Sequence, residues 1–354
     1  MSRFFSEKFN TLTPYTPGEQ PRDQQYIKLN TNESPFPPSP KAQIRAAEEA
    51  GKLQLYSDPT CAALTAEAAK TLGVAEDEII FSNGSDEVLN FAFMAFCDEN
   101  CPAIFPDITY GFYKVFAQLN GIPYEQIPLK ADFTIDTKDY MGQNKTIFIA
   151  NPNAPTGLYL GLDKIEQILK SNPDNVVVVD EAYIDFGGES AIPLTKKYDN
   201  LLVVQTFSKS RSMAGGRLGF AVGSKSLIQD LNTIKYSVNP YNVNRMTMAA
   251  GVGALEDDAY FRANCQTIVD NRTWTTGELD RLGFDTLPSL TNFVFTKNTA
   301  IPGKELYRKL KERGILVRHF DTPRLTDYVR VTIGSAEQMA AFIRTTKEIL
   351  EEIK

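Results

Sequence analysis

Three apolar runs restrict what this chain can fold into more than any other feature: Thr146–Ala150 (TIFIA), Val176–Val179 (VVVV) and Leu201–Val204 (LLVV). None has a polar residue at every second position. As strands they must therefore be buried on both faces, as in parallel sheets covered by helices. Their neighbours agree. EIIFS (78–82) runs into the apolar helical stretch NGSDEVLNFAFMAFC, PAIFP (102–106) into YGFYKVFAQLN, and the TIFIA run into LDKIEQILKSN (162–172). NLLVVQTFS and RLGFAVG follow as further strands. Strand–helix alternation around such cores predicts an α/β fold with a mostly parallel central sheet.

The ends of the chain read differently. Residues 1–40 are punctuated by proline (LTPYTPGEQP, NESPFPPSP) and predict an extended arm. Helical patterning starts at Lys41. Beyond about residue 240 a long helical region (242–282) leads to TNFVFTK, a helix from Gly303 to Arg313, GILVRHF, YVRVTIG and a terminal helix over 335–353. That order predicts a smaller α+β lobe. The expected division is an arm (1–40), a large domain (41–255) and a small C-terminal domain (256–354), with the arm packing on either.

Charge and composition exclude several functions. A formal charge of -7 disfavours nucleic acid or an anionic membrane as the main partner. No span approaches 18 apolar residues and the N-terminus has no signal-peptide core, so a cytoplasmic protein is expected. The single histidine, His319, leaves too little material for a Ser–His–Asp triad or a multi-histidine metal site. Cys97 and Cys101 are close in CDENC but lack further ligands, so no metal is expected. There is no G-x-x-x-x-G-K-[ST], and no G-x-G-x-x-G after the first strand.

The polar residues at the C-terminal ends of the predicted parallel strands remain, and ligands bind at that edge of such sheets. Gly84, Ser85 and Asp86 open a helix after the first strand. Asp180 and Tyr183 follow VVVV, and Thr206, Ser208 and Lys209 follow LLVV. Pyridoxal 5'-phosphate would use all of them. It needs a lysine for its aldehyde, an anion for its pyridine nitrogen, and hydroxyls, backbone N–H groups and an arginine for its phosphate.

Across nearly its whole length the chain resembles the fold-type-I pyridoxal-phosphate aminotransferases, and among them the histidinol-phosphate aminotransferases. The resemblance rests on LTPYTPG, LNTNESPFPPSP, YSDP, NGSDE, TYGFY, NPNAPTG, VVDEAYIDF, TFSKSRSMAGGRLGF and VRVTIG, in the family's order. It implies that Lys209 bonds the cofactor and shuttles a proton, that Asp180 pairs with the pyridinium nitrogen, and that Tyr183 bonds the phenolic oxygen. It also implies that Tyr110 stacks on the ring, and that Thr206, Ser208 and Arg217 hold the phosphate with the turn at Gly84–Asp86. Tyr56 would reach the phosphate of a neighbouring subunit, which implies a homodimer. Arg330 and Arg318 would bind the anionic end of the substrate, under a lid residue, Tyr15.

One motif departs from the family, which has asparagine immediately before Pro-Thr-Gly. NPNAPTG has Ala154 there, so either Asn153 shifts to make the missing bond or Tyr183 makes it alone. The implied reaction is ping-pong transamination between glutamate and imidazole acetol phosphate. An aromatic or broad-specificity aminotransferase, or a threonine-phosphate decarboxylase, would share these motifs. A non-catalytic ligand sensor joined to a DNA-binding domain is the other class. It is disfavoured by the Lys209–Asp180 pair and by the lack of a basic helix-turn-helix ahead of the arm.

Overall fold

The computed structural model describes residues 2–10 and 12–353 of the chain. The arm carries one short strand, β1 (Ile27–Lys28). Seven more form the large sheet: β2 (Ile79–Ser82), β3 (Ala103–Pro106), β4 (Tyr124–Ile127), β5 (Thr146–Ala150), β6 (Val177–Asp180), β7 (Leu201–Thr206) and β8 (Gly219–Gly223). Their order is β2-β8-β7-β6-β5-β3-β4. All are parallel except β8, which runs antiparallel to both of its neighbours.

The uninterrupted apolar runs divide between two cores because successive strand residues face opposite ways. Ile147, Ile149, Val177, Val179, Leu201 and Val203 pack into one layer. Phe148, Val178, Leu202 and Val204 pack into the other. Each fully buried aliphatic or phenylalanine side chain contributes about 1.5–3 kcal/mol, so double-sided burial is what pins this register. The edge strand β4, Tyr-Glu-Gln-Ile, is the one the apolar pattern does not predict. Its central residues are exposed, because an edge strand needs less burial.

The small lobe contains β9 (Phe284–Thr286), β10 (Phe293–Asn298), β11 (Ile315–Leu316), β12 (Arg318–His319) and β13 (Tyr328–Thr332). Four of them form a sheet in the order β12-β13-β10-β9, while β11 pairs in parallel with β1. The arm is thereby stitched to this lobe. Helices Gly303–Glu312 and Ala336–Glu352 close a third core around Val329, Val331, Leu306 and Phe342. The last helix begins with a capping box between Ser335 and Gln338. The predicted long helix is two helices, Arg245–Glu256 and Asp258–Arg281, broken at Asp257. The first contributes Ala250, Ala254 and Leu255 to a large-sheet core, the second Cys265, Ile268 and Leu279 to the third core. Among the described residues no helix is long and apolar enough to cross a membrane.

Candidate active site

The C-terminal ends of β5, β6 and β7 meet in a cavity of about 340 Å³. It is lined by Ser85, Asp86, Tyr110, Asp180, Tyr183, Thr206, Ser208, Lys209 and Arg217 from the large domain, and by Thr31 and Glu33 from the arm. Nine of the residues singled out from the sequence thus line one cavity, although they span more than 130 positions.

The reversed strand β8 assembles one end of this cavity. Gly219 pairs with Ser82 on one side and with Thr206 on the other. A Cβ on Gly219 would lie 2.3 Å from the Ser85 nitrogen, so only glycine lets the helix start approach this closely. That helix, Ser85–Phe96, begins at Gly84 (φ 78°) with no side-chain cap, leaving its first N–H groups and the positive end of its dipole facing the cavity. A Cβ on Gly84 would sit 2.5 Å from Arg217 Nη2. Arg217 also has left-handed backbone, φ 53°, and Asp86 Oδ2 accepts from its Nη2 at 3.0 Å. The Ser208 N–H donates to Thr206 Oγ1 at 3.1 Å. Uncapped N–H groups, hydroxyls and a guanidinium around glycine-bounded space make an anion cup.

Asp180, the last residue of β6, is 4% exposed. Its Oδ2 accepts from Tyr113 Oη at 2.9 Å and its Oδ1 from the Ala182 N–H at 3.2 Å. Burial pushes its carboxyl up to about 6, against the hydrogen bond from Tyr113. Lys209 Nζ donates to the Thr31 carbonyl at 3.2 Å. Burial, followed by repulsion from Arg330, brings its ammonium down to about 8, while Glu33 opposes the shift. Tyr110 donates to Asp86 Oδ1 at 2.6 Å and meets Tyr113 edge-on, with centroids 5.7 Å apart.

Arg330 and Arg318 stand directly opposite each other on β13 and β12. Arg330 Nη2 donates to the Asn30 carbonyl at 2.9 Å, and its buried Nε has no partner among the described residues. Arg318 donates to the carbonyls of Thr16 and Pro17, at 3.3 and 3.4 Å. Neither has a carboxylate in its described hydrogen bonds or ion pairs. Like charges opposed across a ladder are unfavourable, and an anion placed between them would relieve that repulsion. Tyr15 stacks on Phe112 at 4.2 Å and lies 6.4 Å from Tyr110, and burial raises its phenol's titration, with both arginines opposing the shift.

Gly84, Tyr15, Arg318 and Arg330 are not part of the cavity lining, and two further expected residues are placed away from it. Asn153 does not face the cavity. Its Oδ1 accepts from Thr109, and its Nδ2 donates to the Ile108 carbonyl and Thr156. It ties the loop together, while Ala154 and Pro152 form the wall. The shifted-register role is therefore corrected, because its hydrogen-bonding capacity is already used. Tyr56 is 80% exposed and stacks on Tyr241 at 4.6 Å, outside this chain's own cavity. Two other residues escaped sequence reasoning. Tyr113 has a signal in hindsight, one helical turn beyond Tyr110. Asn32, which donates to Tyr183 Oη at 2.9 Å, has only its place in LNTNES.

Comparisons with known proteins identify the family and the fold. Residues 24–345 match the family Aminotransferase class I and II. The chain is 50% identical over 355 residues to the histidinol-phosphate aminotransferase of Brachyspira hyodysenteriae, covering 99% of this chain and 100% of that one. It is 49% identical over 354 residues to histidinol-phosphate aminotransferase 2 of Dechloromonas aromatica, covering 99% of each. The crystal structure of histidinol-phosphate aminotransferase from Sinorhizobium meliloti, in complex with pyridoxal-5'-phosphate, has the same fold. Its TM-score is 0.85 at 22% identity, over 94% of this chain and 93% of that one. The chain belongs to the class I and II aminotransferases of fold type I, and within them to the histidinol-phosphate aminotransferase family.

Proposed function

We propose that this transaminase interconverts L-histidinol phosphate plus 2-oxoglutarate and imidazole acetol phosphate plus L-glutamate, using pyridoxal 5'-phosphate held in the cavity at Lys209. The observation that carries the substrate reading is the opposed Arg318–Arg330 pair, neither member of which has a carboxylate in its described hydrogen bonds or ion pairs, Glu19 acting on Arg318 only through space. A substrate with a phosphate end would neutralise both charges. Glutamate, the alternating donor, would offer a carboxylate to Arg330. The names of the relatives at 50 and 49% identity support the same substrate.

The donor set fits the cofactor. The glycine-bounded cup at Gly84–Asp86, Thr206, Ser208 and Arg217 suits its phosphate, and the buried Asp180 suits its pyridinium nitrogen. Tyr110 suits its ring face and Tyr183 its phenolic oxygen. Lys209 would hold its aldehyde carbon. When bound, pyridoxal phosphate supplies an electron-withdrawing ring that stabilises charge on the substrate carbon.

The chain's own groups do the rest. Lys209 Nζ, partly neutral near pH 8, takes and returns the proton at the substrate carbon that bears nitrogen. Asp180, shielded from water, holds a positive charge opposite it. Arg330 and Arg318 orient the substrate by its anionic end, and Tyr15 covers it. A second subunit, as homodimer partner, would bring Tyr56 to the phosphate cup.

The test is single-turnover amino transfer from L-histidinol phosphate, L-histidinol, phenylalanine and threonine phosphate, followed by the change in cofactor absorbance. Histidinol phosphate should react fastest, with histidinol at least about tenfold slower. Phenylalanine reacting as fast as histidinol phosphate, or carbon dioxide release from threonine phosphate, would defeat the substrate assignment.

A further inference from the structure

Asn32 joins the arm, the small lobe and Tyr183. It is 1% exposed with left-handed backbone, φ 57°, a conformation that asparagine tolerates better than most residues. Its backbone N–H donates to Thr332 Oγ1 at 3.0 Å, and Thr332 Oγ1 donates to Asn32 Oδ1 at 3.0 Å. Asn32 Nδ2 donates to Tyr183 Oη at 2.9 Å, and its carbonyl accepts from Asn292 Nδ2 at 2.9 Å.

The direction of this set is fixed by chemistry. A backbone N–H can only donate, so one lone pair of the Thr332 hydroxyl is taken and its proton needs another acceptor. Asn32 Oδ1 is the acceptor described for it. Reversing the Asn32 amide would leave a hydroxyl proton unpaired on Thr332, which is 2% exposed. The amide must therefore present Nδ2 to Tyr183. Tyr183 Oη accepts there, so its own proton points away from Asn32. Tyr183 lines the cavity beside Pro152, Ala154 and Ala182, whose side chains are apolar, while Asn153 is turned away and occupied.

We propose that Thr332 and Asn32 form a one-way hydrogen-bond relay that aims the Tyr183 hydroxyl proton into the cavity, toward the cofactor's phenolic oxygen. Thr332 and Asn32 are positioning residues, and the proposal rests on the cofactor reading given above. Tyr183 is one of the side-chain donors lining this cavity, with Lys209 Nζ 5.9 Å from the centre of its ring. The orientation of the Tyr183 hydroxyl helps set how well an oxygen anion is received, and a residue outside the cavity lining, Thr332, controls it.

The experiment measures equilibrium affinity for pyridoxal phosphate by dialysis, together with the melting temperature of the cofactor-free protein. Thr332→Val should weaken binding about five- to tenfold, whereas Thr332→Ser, which keeps the hydroxyl, should bind like the parent. In a Tyr183→Phe background Thr332→Val should cost nothing further, since there is no proton left to aim. The pH midpoint of the bound cofactor's absorbance change should rise in Thr332→Val, because an oxygen with fewer donors holds a neighbouring proton more tightly. Equal losses with Thr332→Val in both backgrounds, or equal losses for Val and Ser, would show a structural role only and overturn the relay. If Thr332→Val does not fold, Asn32→Ala compared in the parent and Tyr183→Phe backgrounds decides by the same criterion. A parent protein that bound no pyridoxal phosphate would instead overturn the cofactor reading.

Discussion

Tyr113 Oη donates to Asp180 Oδ2 at 2.9 Å, and both side chains are shut away from water. The bond opposes the burial that raises the carboxyl to about 6, so it helps keep a charge on Asp180 at neutral pH. Tyr113→Phe should raise the Asp180 titration by about one pH unit, the equivalent of one net hydrogen bond. Carbon-13 NMR of the aspartate carboxyls in cofactor-free protein would measure it. An unchanged midpoint would mean that the phenol does not tune the acid.

The raised carboxyl also predicts a stability profile. Asp180 titrates at about 6 in the folded protein against an ordinary 3.8. Its favourable contribution is present in full below 3.8 and is lost as pH rises through 6. Asp180→Asn, which cannot ionise, should therefore melt roughly 2–4 °C above the parent at pH 7.5 when no cofactor is bound. The gap should close as pH falls toward 4. Thermal scans across that range would reveal the opposite trend if burial were not the dominant cause.

Lys209 shifts the other way, from 10.5 down to about 8. A neutral amine is what attacks an aldehyde, so the rate of covalent cofactor capture should climb with pH up to about 8 and then level off. Arg330 is the second cause of the depression, so Arg330→Met should move that plateau to higher pH. Stopped-flow absorbance gives the profile directly. Lys209→Ala should yield no covalent adduct after borohydride reduction, with turnover falling by about 10²–10⁴-fold.

The two arginines should separate by substrate. Arg330→Met should raise KM for both glutamate and histidinol phosphate by roughly 10- to 100-fold, as expected for loss of a charge-assisted bond. Arg318→Ala, at the more exposed position, should raise KM for histidinol phosphate and spare glutamate. Steady-state kinetics with each partner at saturation would show it. Equal effects of Arg318→Ala on both substrates would refute the division of labour.

Tyr56, exposed on its own chain, should matter only in an assembled pair. Tyr56→Ala should weaken cofactor affinity about tenfold. Mixing it with inactive Lys209→Ala protein should restore parental affinity at one site per hybrid dimer. A hybrid no better than the Tyr56→Ala homodimer would place Tyr56 outside the site.

Much of this molecule can be read from local pattern. Strands β5, β6 and β7 announce themselves because double-sided burial excludes polar residues from TIFIA, VVVV and LLVV. Lys209, Asp180 and Arg217 stand out as polar breaks at or beyond the ends of apolar strands. The edge strand β4 does not, because one exposed flank lets Glu125 and Gln126 occupy it. Asn153 misleads for a related reason. Sequence shows that an amide is present, but not that Thr109, Ile108 and Thr156 already use it.

What the sequence determined by itself was therefore the layered α/β architecture and the order of its strands along the chain, both of which follow from residue type and periodicity over short windows, while Lys209 was marked out by its motif and the family resemblance. Only the tertiary structure decided that Tyr113 braces Asp180, that Thr332 and Tyr183 both bond Asn32, and that Arg318 stands opposite Arg330 on neighbouring strands. Those relationships join residues up to 300 positions apart. Hydrogen bonds and ion pairs act over a few ångströms of space, and separation along the chain does not encode them.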